Sequence, residues 1–340
     1  MIVVFFHELG HFLCLRACGA KVSTFSVGVW KTLFSWRGRR SGTVYRVGLI
    51  PFAGYVMPAE SKNEGLHLLR GQLFADMPVW KRFLCVLAGP FASFLLCFCI
   101  LSANYYVSGD RIGPPQITGI LPGGSADQAG MHVGDTFVYI GARHVYNTRD
   151  VMEAMVTGGV SPVVVRYVDE HGVERETVIH PRSMHNASMG GLITPMMGIS
   201  MGPMDVRSYS LLGAMGHGAE MTYDYACLSA SMFKSVLTGG LPLRVSEGPV
   251  GTAKEFHSAV VGGNFAKLAS LVAIFSMSLG LMNIVPLLPL DGGRLFFLIL
   301  EKAGSRPVSP AVEDYMTRFG LAVVCLSFCV SVAIDLGVLG

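Results

Sequence analysis

The sequence predicts a polytopic α-helical membrane protein with a β region at one membrane face and one inserted α+β domain. Three features carry that reading: half of its 340 residues are hydrophobic, only 14% are charged, and its longest apolar stretches hold no charge. Soluble proteins average about 25% charged residues. Phe83–Val107 runs 25 residues without a charge, Leu268–Leu290 runs 23 and Phe319–Ile334 runs 16, and a helical span needs roughly 20. Ile2–Phe6 is also apolar but runs straight into His7, without the basic lead of a signal peptide. It reads as the end of a truncated first span, giving about four spans in all.

In order, the sequence divides into a first helix at 1–18 that ends near Gly19, a membrane-associated β region at 19–82 and a span at 83–107. A soluble α+β domain follows at 111–183, then a linker with an amphipathic helix at 184–267. A span that ends in irregular chain covers 268–293, a loop covers 294–317 and a last span covers 318–338. Gly19 suits a helix C-terminus. Within the β region, Lys21–Trp30, Leu33–Trp36, Thr43–Ile50 and Gly54–Met57 are strand-like runs between Gly and Pro breaks. In the soluble domain, Asp169-Glu170-His171-Gly172 separates two alternating strands and signals a hairpin, and Asn147 or Thr148 caps a short helix. Met184–Gly202, rich in Gly, Met and Ser, reads as linker. The helical pattern from Leu212 to Val236 contains His217, Glu220, Asp224 and Lys234, which makes it a poor span and a better interfacial helix.

Charge placement gives the orientation. Cys14–Arg82 holds 11 Lys or Arg against 3 acids, whereas Asn104–Lys267 holds 11 against 14. The positive-inside rule puts the first region in the cytoplasm and the soluble domain across the membrane, with Arg294, Lys302 and Arg306 back on the cytoplasmic side. Basic residues flanking spans are what topology alone requires, so no nucleic-acid partner is expected. Most of the eight cysteines lie in or beside apolar spans and read as small buried hydrophobes.

His7-Glu8-Leu9-Gly10-His11 carries the chemistry. Residues four apart on a helix share a face, so two imidazoles can bind one Zn2+ while the adjacent carboxylate reaches its water. Each charge at mid-membrane costs about 2.5–3.5 kcal/mol on insertion scales, so a carboxylate there calls for a partner. A catalytic zinc takes three protein ligands, and Asp291 is the best third. Pro286 and Pro289 break the preceding helix, Gly292 and Gly293 permit tight turns, and irregular chain at membrane depth is tolerated only in a protein interior or a water-lined cavity. Cys14 shares the helical face of His7 and His11, but three ligands from one helix would span about 10 Å of rise, beyond the reach of a short thiol.

These residues resemble the bacterial site-2 proteases, intramembrane zinc enzymes of regulated intramembrane proteolysis. The likeness covers nearly the whole chain: His7–His11, Phe25-Ser26-Val27-Gly28, Ile50–Val56, Ala88-Gly89-Pro90, Gly248-Pro249-Val250 and Asn283–Gly293, in that order. Gly124–Asp135 is similar to the PDZ domain inserted in these enzymes. Ala53 stands where a second glycine is common in the family.

The resemblance implies a zinc metalloendopeptidase in the bacterial inner membrane, with His7, His11 and Asp291 as ligands and Glu8 as general base. It implies Asn283 as a substrate-contacting or accessory polar group, and that Gly54 and Tyr55, in the Pro51–Met57 hairpin, add a strand to unwound substrate. The expected substrate is a single-pass transmembrane protein, an anti-sigma factor being the commonest family target. The PDZ domain would hold a peptide C-terminus outside the cytoplasm, with the active site toward the cytoplasm. A metal transporter and an inactive scaffold are the rival readings; absence of an internal repeat argues against the first and retention of Glu8 against the second.

Overall fold

The computed structural model describes residues 1–59, 73–158, 161–186, 192–202, 205–237, 249–304 and 308–335. Gly248 and Arg306 lie outside the described residues. The chain divides into two compact units: Met1–Leu101 with Gly218–Ala226 and Ala269–Ser327, and Ser102–His217 with Cys227–Leu268 and Phe328–Gly340.

The first unit is built on helix α1 (Ile2–Ala17), which closes with Gly19 at φ 91°, the left-handed conformation glycine adopts without cost. Two long strands follow, β1 (Val22–Arg37) and β2 (Val44–Pro58). Each is bent, and the four strand-like runs of the sequence are their arms. Val22–Val27 pairs in descending register with Gly54–Pro58, and Phe34–Arg37 with Val44–Val47. Thr24–Val27 also partners Val44–Val47 in ascending order, so the first arm of β1 lies between both arms of β2. The bend falls at Gly28 (φ 89°) and Trp30 (φ 74°), where Gly28 and Gly48 touch backbone to backbone; a Cβ on Gly48 would meet the Gly28 carbonyl carbon at 2.5 Å. Gly54–Pro58 forms one edge of this sheet and pairs with no second described strand.

Aromatic rings fasten the sheet to α1. Phe5 and Phe12, two turns apart, meet Phe25 edge-on at centroid distances of 6.0 and 5.3 Å. Trp30, Leu33, Phe34 and Trp36 are exposed, the surface expected of chain that dips into a membrane.

Helices α2 (Val79–Ser108), α7 (Phe265–Ile284) and α9 (Pro310–Asp335) contain the described segments long and apolar enough to span a membrane. At 16 residues α1 is shorter. The sequence places a loop at 294–317, but α8 (Asp291–Gly304) begins immediately after the break at 285–290, and α9 begins at Pro310. Arg294 and Lys302 read as the basic flank of a span, whereas Leu295 and Leu298, three apart, pack with Val86 of α2. Glu301 of α8 forms a two-pronged ion pair with Arg82 of α2, whose Nη1 donates at 3.0 Å.

The second unit contains the α+β domain. Its strands are β3 (Asp110–Ile112), β4 (Ile117–Ile120), β5 (Thr136–Ile140), β6 (Arg143–His144), β7 (Val163–Val168) and β8 (Glu174–Ile179), with helices α3 (Ser125–Gln128) and α4 (Thr148–Gly158). Asn147 caps α4, its Oδ1 accepting from the Arg149 and Asp150 N–H groups. The core gathers Ile117, Phe137, Val151, Val165 and Ile179, all nearly inaccessible.

The boundary at 183 is too early. The expected linker contains β9 (Arg182–Asn186), β10 (Leu192–Met196) and β11 (Ile199–Met201). β11 pairs with β4, and Met197 is buried in the same core. β12 (Asp205–Arg207) pairs with β3, so the domain closes where it opens. Beyond it, α5 (Leu211–Leu237) occupies the expected amphipathic stretch, and α6 (Pro249–Val261) adds a helix that the sequence did not suggest.

Candidate active site

Two helices cross with almost nothing between them. A Cβ on Gly10 of α1 would stand 2.3 Å from the Ala88 carbonyl oxygen and 2.6 Å from Ala92 Cβ, and one on Gly89 of α2 would stand 2.2 Å from His11 Nε2. Small residues let apolar helices approach closely. Here they bring α2 flush against the His7 and His11 rings, which explains the Ala88-Gly89 pair.

His7 is buried and His11 nearly so. His11 Nδ1 lies 2.9 Å from the Cys85 carbonyl oxygen. A carbonyl can only accept, so Nδ1 carries the proton and, in the neutral ring, Nε2 presents its lone pair. His7 Nδ1 lies 3.0 Å from Ser93 Oγ, and Ser276 Oγ donates to the Ser93 carbonyl at 2.8 Å. Ser93 and Ser276 are completely buried.

Asp291 is the first residue of α8. Gly292 and Gly293 let α8 fold back on the end of α7: a Cβ on Gly292 would lie 2.1 Å from the Ile284 carbonyl oxygen. This brings Asp291 Oδ2 to 3.1 Å from His7 Nε2 and 3.2 Å from His11 Nε2, while the two Nε2 atoms are 3.3 Å apart. Three electron-pair donors in mutual contact repel unless a cation or protons lie among them. Donors about 2.0–2.1 Å from a shared tetrahedral centre stand about 3.3–3.4 Å apart, so nitrogen, nitrogen and carboxylate oxygen are spaced as zinc requires. The residues present fit a zinc ion.

Glu8 is buried beside this cluster, on the side of α1 that faces the sheet. A Cβ on Gly54 would lie 2.8 Å from Glu8 Cγ, 2.8 Å from the Ser26 carbonyl oxygen and 3.1 Å from Val4 Cγ1. The edge arm of β2 therefore runs directly past the Glu8 side chain. By strand alternation Tyr55 points to the other face. Asn283, in the last turn of α7, donates through Nδ2 to the Leu279 carbonyl at 2.9 Å and is not among the three clustered donors. Cys14 is also absent from that trio and groups with Cys18 and Cys85.

Ser93 and Cys85 are the site residues that sequence reasoning missed. A serine in an apolar span was the only available signal for the first; the second acts through its backbone carbonyl and leaves no mark in the sequence.

An apolar helical chain with two imidazoles, a carboxylate donor and a second buried carboxylate at one helix crossing has the make-up of a membrane metallopeptidase. Residues 1–327 match Peptidase family M50. A protein of Rhizobium meliloti named "Putative zinc metalloprotease" is 29% identical over 96% of this chain and 91% of its own length. Proteins with that name from Bartonella henselae and Brucella suis are 30% identical over 96% of both chains and 29% identical over 95% of this chain and 89% of the relative. The chain belongs to peptidase family M50. It is a zinc metalloprotease of the membrane.

Proposed function

We propose that this enzyme cleaves transmembrane helices of single-pass membrane proteins within the bilayer, as in regulated intramembrane proteolysis. The observation that carries the proposal is the contact of Gly54 with Glu8: a strand edge lies beside a buried carboxylate on an apolar helix.

In this reading His7 Nε2, His11 Nε2 and Asp291 Oδ2 hold the metal. Zinc, when bound, would supply a Lewis acid that polarises a peptide carbonyl and lowers the pKa of water, so that it gives up a proton as it attacks. The chain's own residues do the rest. The Cys85 carbonyl and Ser93 hydroxyl fix both imidazoles with Nε2 inward. Glu8 accepts the proton of the attacking water on its carboxylate and returns it to the leaving amide nitrogen. A helical substrate hides its carbonyls in its own hydrogen bonds, so it must unwind; the Gly54–Met57 edge offers those groups another partner. Gly54 has no side chain to hold that backbone away from Glu8, Tyr55 flanks it, and Asn283 contributes a polar group at the end of α7.

The α+β domain is read as a PDZ domain on the extracytoplasmic face of a bacterial inner membrane, taking a peptide C-terminus and screening substrates. In this reading the active site lies toward the cytoplasm, an orientation that the basic residues before α2 support.

Co-expression with an epitope-tagged single-pass protein tests the proposal. The intact chain should release a membrane-free fragment and Glu8→Gln should not. Equal cleavage by both would sink it.

A further inference from the structure

A second group of metal-ligating side chains adjoins the first. Cys14 lies in the last turn of α1 and Cys18 at its C-cap, Cys85 meets them from α2, and all three sulfurs stand within 4.8 Å of one another. Cys85 is buried and the other two are half-buried. Leu15, Val22 and Met77 share their cluster, with Phe12 and Phe74 packed against it. The surroundings are therefore apolar, and the polarisable groups converging there are sulfur.

Spacing and chemistry both suit a metal. Zinc–sulfur bonds of about 2.3 Å put neighbouring sulfurs about 3.8 Å apart in a tetrahedral site, and sulfurs already within 4.8 Å of one another need only small side-chain shifts to close one. Thiolate is a soft donor that favours Zn2+ and Cu+ over Mg2+ or Ca2+. Each sulfur gives up its thiol proton to solvent as it ligates. Three thiolates around a divalent ion leave one net negative charge, and around a monovalent ion two; burying less net charge costs less.

We propose that Cys14, Cys18 and Cys85 form a second metal site, for a divalent thiophilic d10 ion of the zinc class, separate from His7, His11 and Asp291. Cys85 belongs to both surroundings: its carbonyl accepts from His11 Nδ1 while its sulfur faces Cys14 and Cys18. An ion on that sulfur fastens α1 to α2 immediately behind His11.

The test uses the purified full-length chain in detergent, stripped by a chelator and kept reduced by a phosphine. It is titrated with Cd2+, a spectroscopic stand-in for Zn2+. Two equivalents are expected, one bringing an ultraviolet sulfur-to-metal charge-transfer band. In Cys14→Ser/Cys18→Ser, which leaves Cys85 and its bond to His11 in place, the band and one equivalent should disappear. In His7→Ala/His11→Ala the band should persist, which separates this proposal from the reading of the histidine site. A parent chain without the band, or a band that survives Cys14→Ser/Cys18→Ser, overturns it. Uptake of Cu+ by these sulfurs without any Cd2+ band overturns the divalent assignment.

Discussion

Gly54 of β2 lies against Glu8 of α1, so close that a single added methyl would stand 2.8 Å from Glu8 Cγ and 2.8 Å from the Ser26 carbonyl. That contact joins the sheet edge to the residue proposed to move protons. Gly54→Ala must push one of them away, at about 1–3 kcal/mol for an overpacked position. Cleavage should fall at least tenfold while zinc stays bound, because the atoms nearest an added Cβ belong to Glu8, Ser26 and Val4 and not to the three donors. Metal analysis alongside a cleavage assay decides it, and unaltered cleavage would remove Gly54 from the site.

The trio of His7, His11 and Asp291 should behave as a unit. Alanine at any one leaves two donors, too few for a tight zinc site. Each variant should be isolated with less than a tenth of the parent's zinc at the histidine site, whereas Glu8→Gln keeps its zinc and loses about 10²–10⁴-fold in rate, the range of general acid–base catalysis. Full zinc occupancy in Asp291→Ala would point to another third ligand.

Ser93→Ala removes the partner of His7 Nδ1 without touching a ligand. Loss of such a supporting hydrogen bond weakens metal binding about 10–100-fold. Competition against a chelator of known affinity measures this, and the Ser276 bond survives because it reaches the Ser93 carbonyl. An unchanged zinc affinity would make Ser93 a packing residue only.

Orientation is open to chemical labelling. Ser161 is exposed in the α+β domain and Ser41 is half-exposed between β1 and β2. With reactive native cysteines removed, Ser161→Cys should label in intact cells with a membrane-impermeant reagent, and Ser41→Cys only after lysis. The opposite pattern would reverse the proposed topology.

The turn between β7 and β8 gives a pH dependence. Backbone N–H of Val173 and then the Arg175 side chain hold the Asp169 carboxyl below its ordinary value. A depressed carboxyl stabilises the fold above its unfolded pKa, about 3.9, and that contribution is lost as pH falls through the lower folded value. Amide protection at His171 and Val173 should therefore decline on acidification below about pH 4 and should be insensitive to pH from 5 to 8. Protection unchanged at low pH would show that the carboxylate does not hold the turn.

How much of this could be read beforehand depends on how local each signal is. His7, Glu8 and His11 announce themselves because a helix fixes their spacing, and Asp291 because Pro289 and Gly292 mark broken chain at membrane depth. The four strand arms follow from Gly and Pro breaks, but not that the Lys21–Trp30 run lies between Thr43–Ile50 and Gly54–Met57: that depends on Gly28 and Gly48 touching, twenty residues apart. The chain at 184–202 looked like linker because Gly and Ser conceal a strand whose reason is distant, namely Met197 entering the core beside Ile117. α8 reads as loop because Arg294 and Lys302 are basic residues next to a span, and the contacts that make it a packed helix, Leu295 and Leu298 on Val86 and Glu301 on Arg82, join residues far apart in sequence.

The crossing of α1 and α2 also bears on heredity. Gly10 and Gly89 contribute only a hydrogen where any side chain would strike Ala88, Ala92 or the His11 ring. A random mutational census of this gene should then find two kinds of intolerant position interleaved along the same short stretches of helix. Some fail for want of a chemical group and others for the presence of one, and activity alone would not tell them apart.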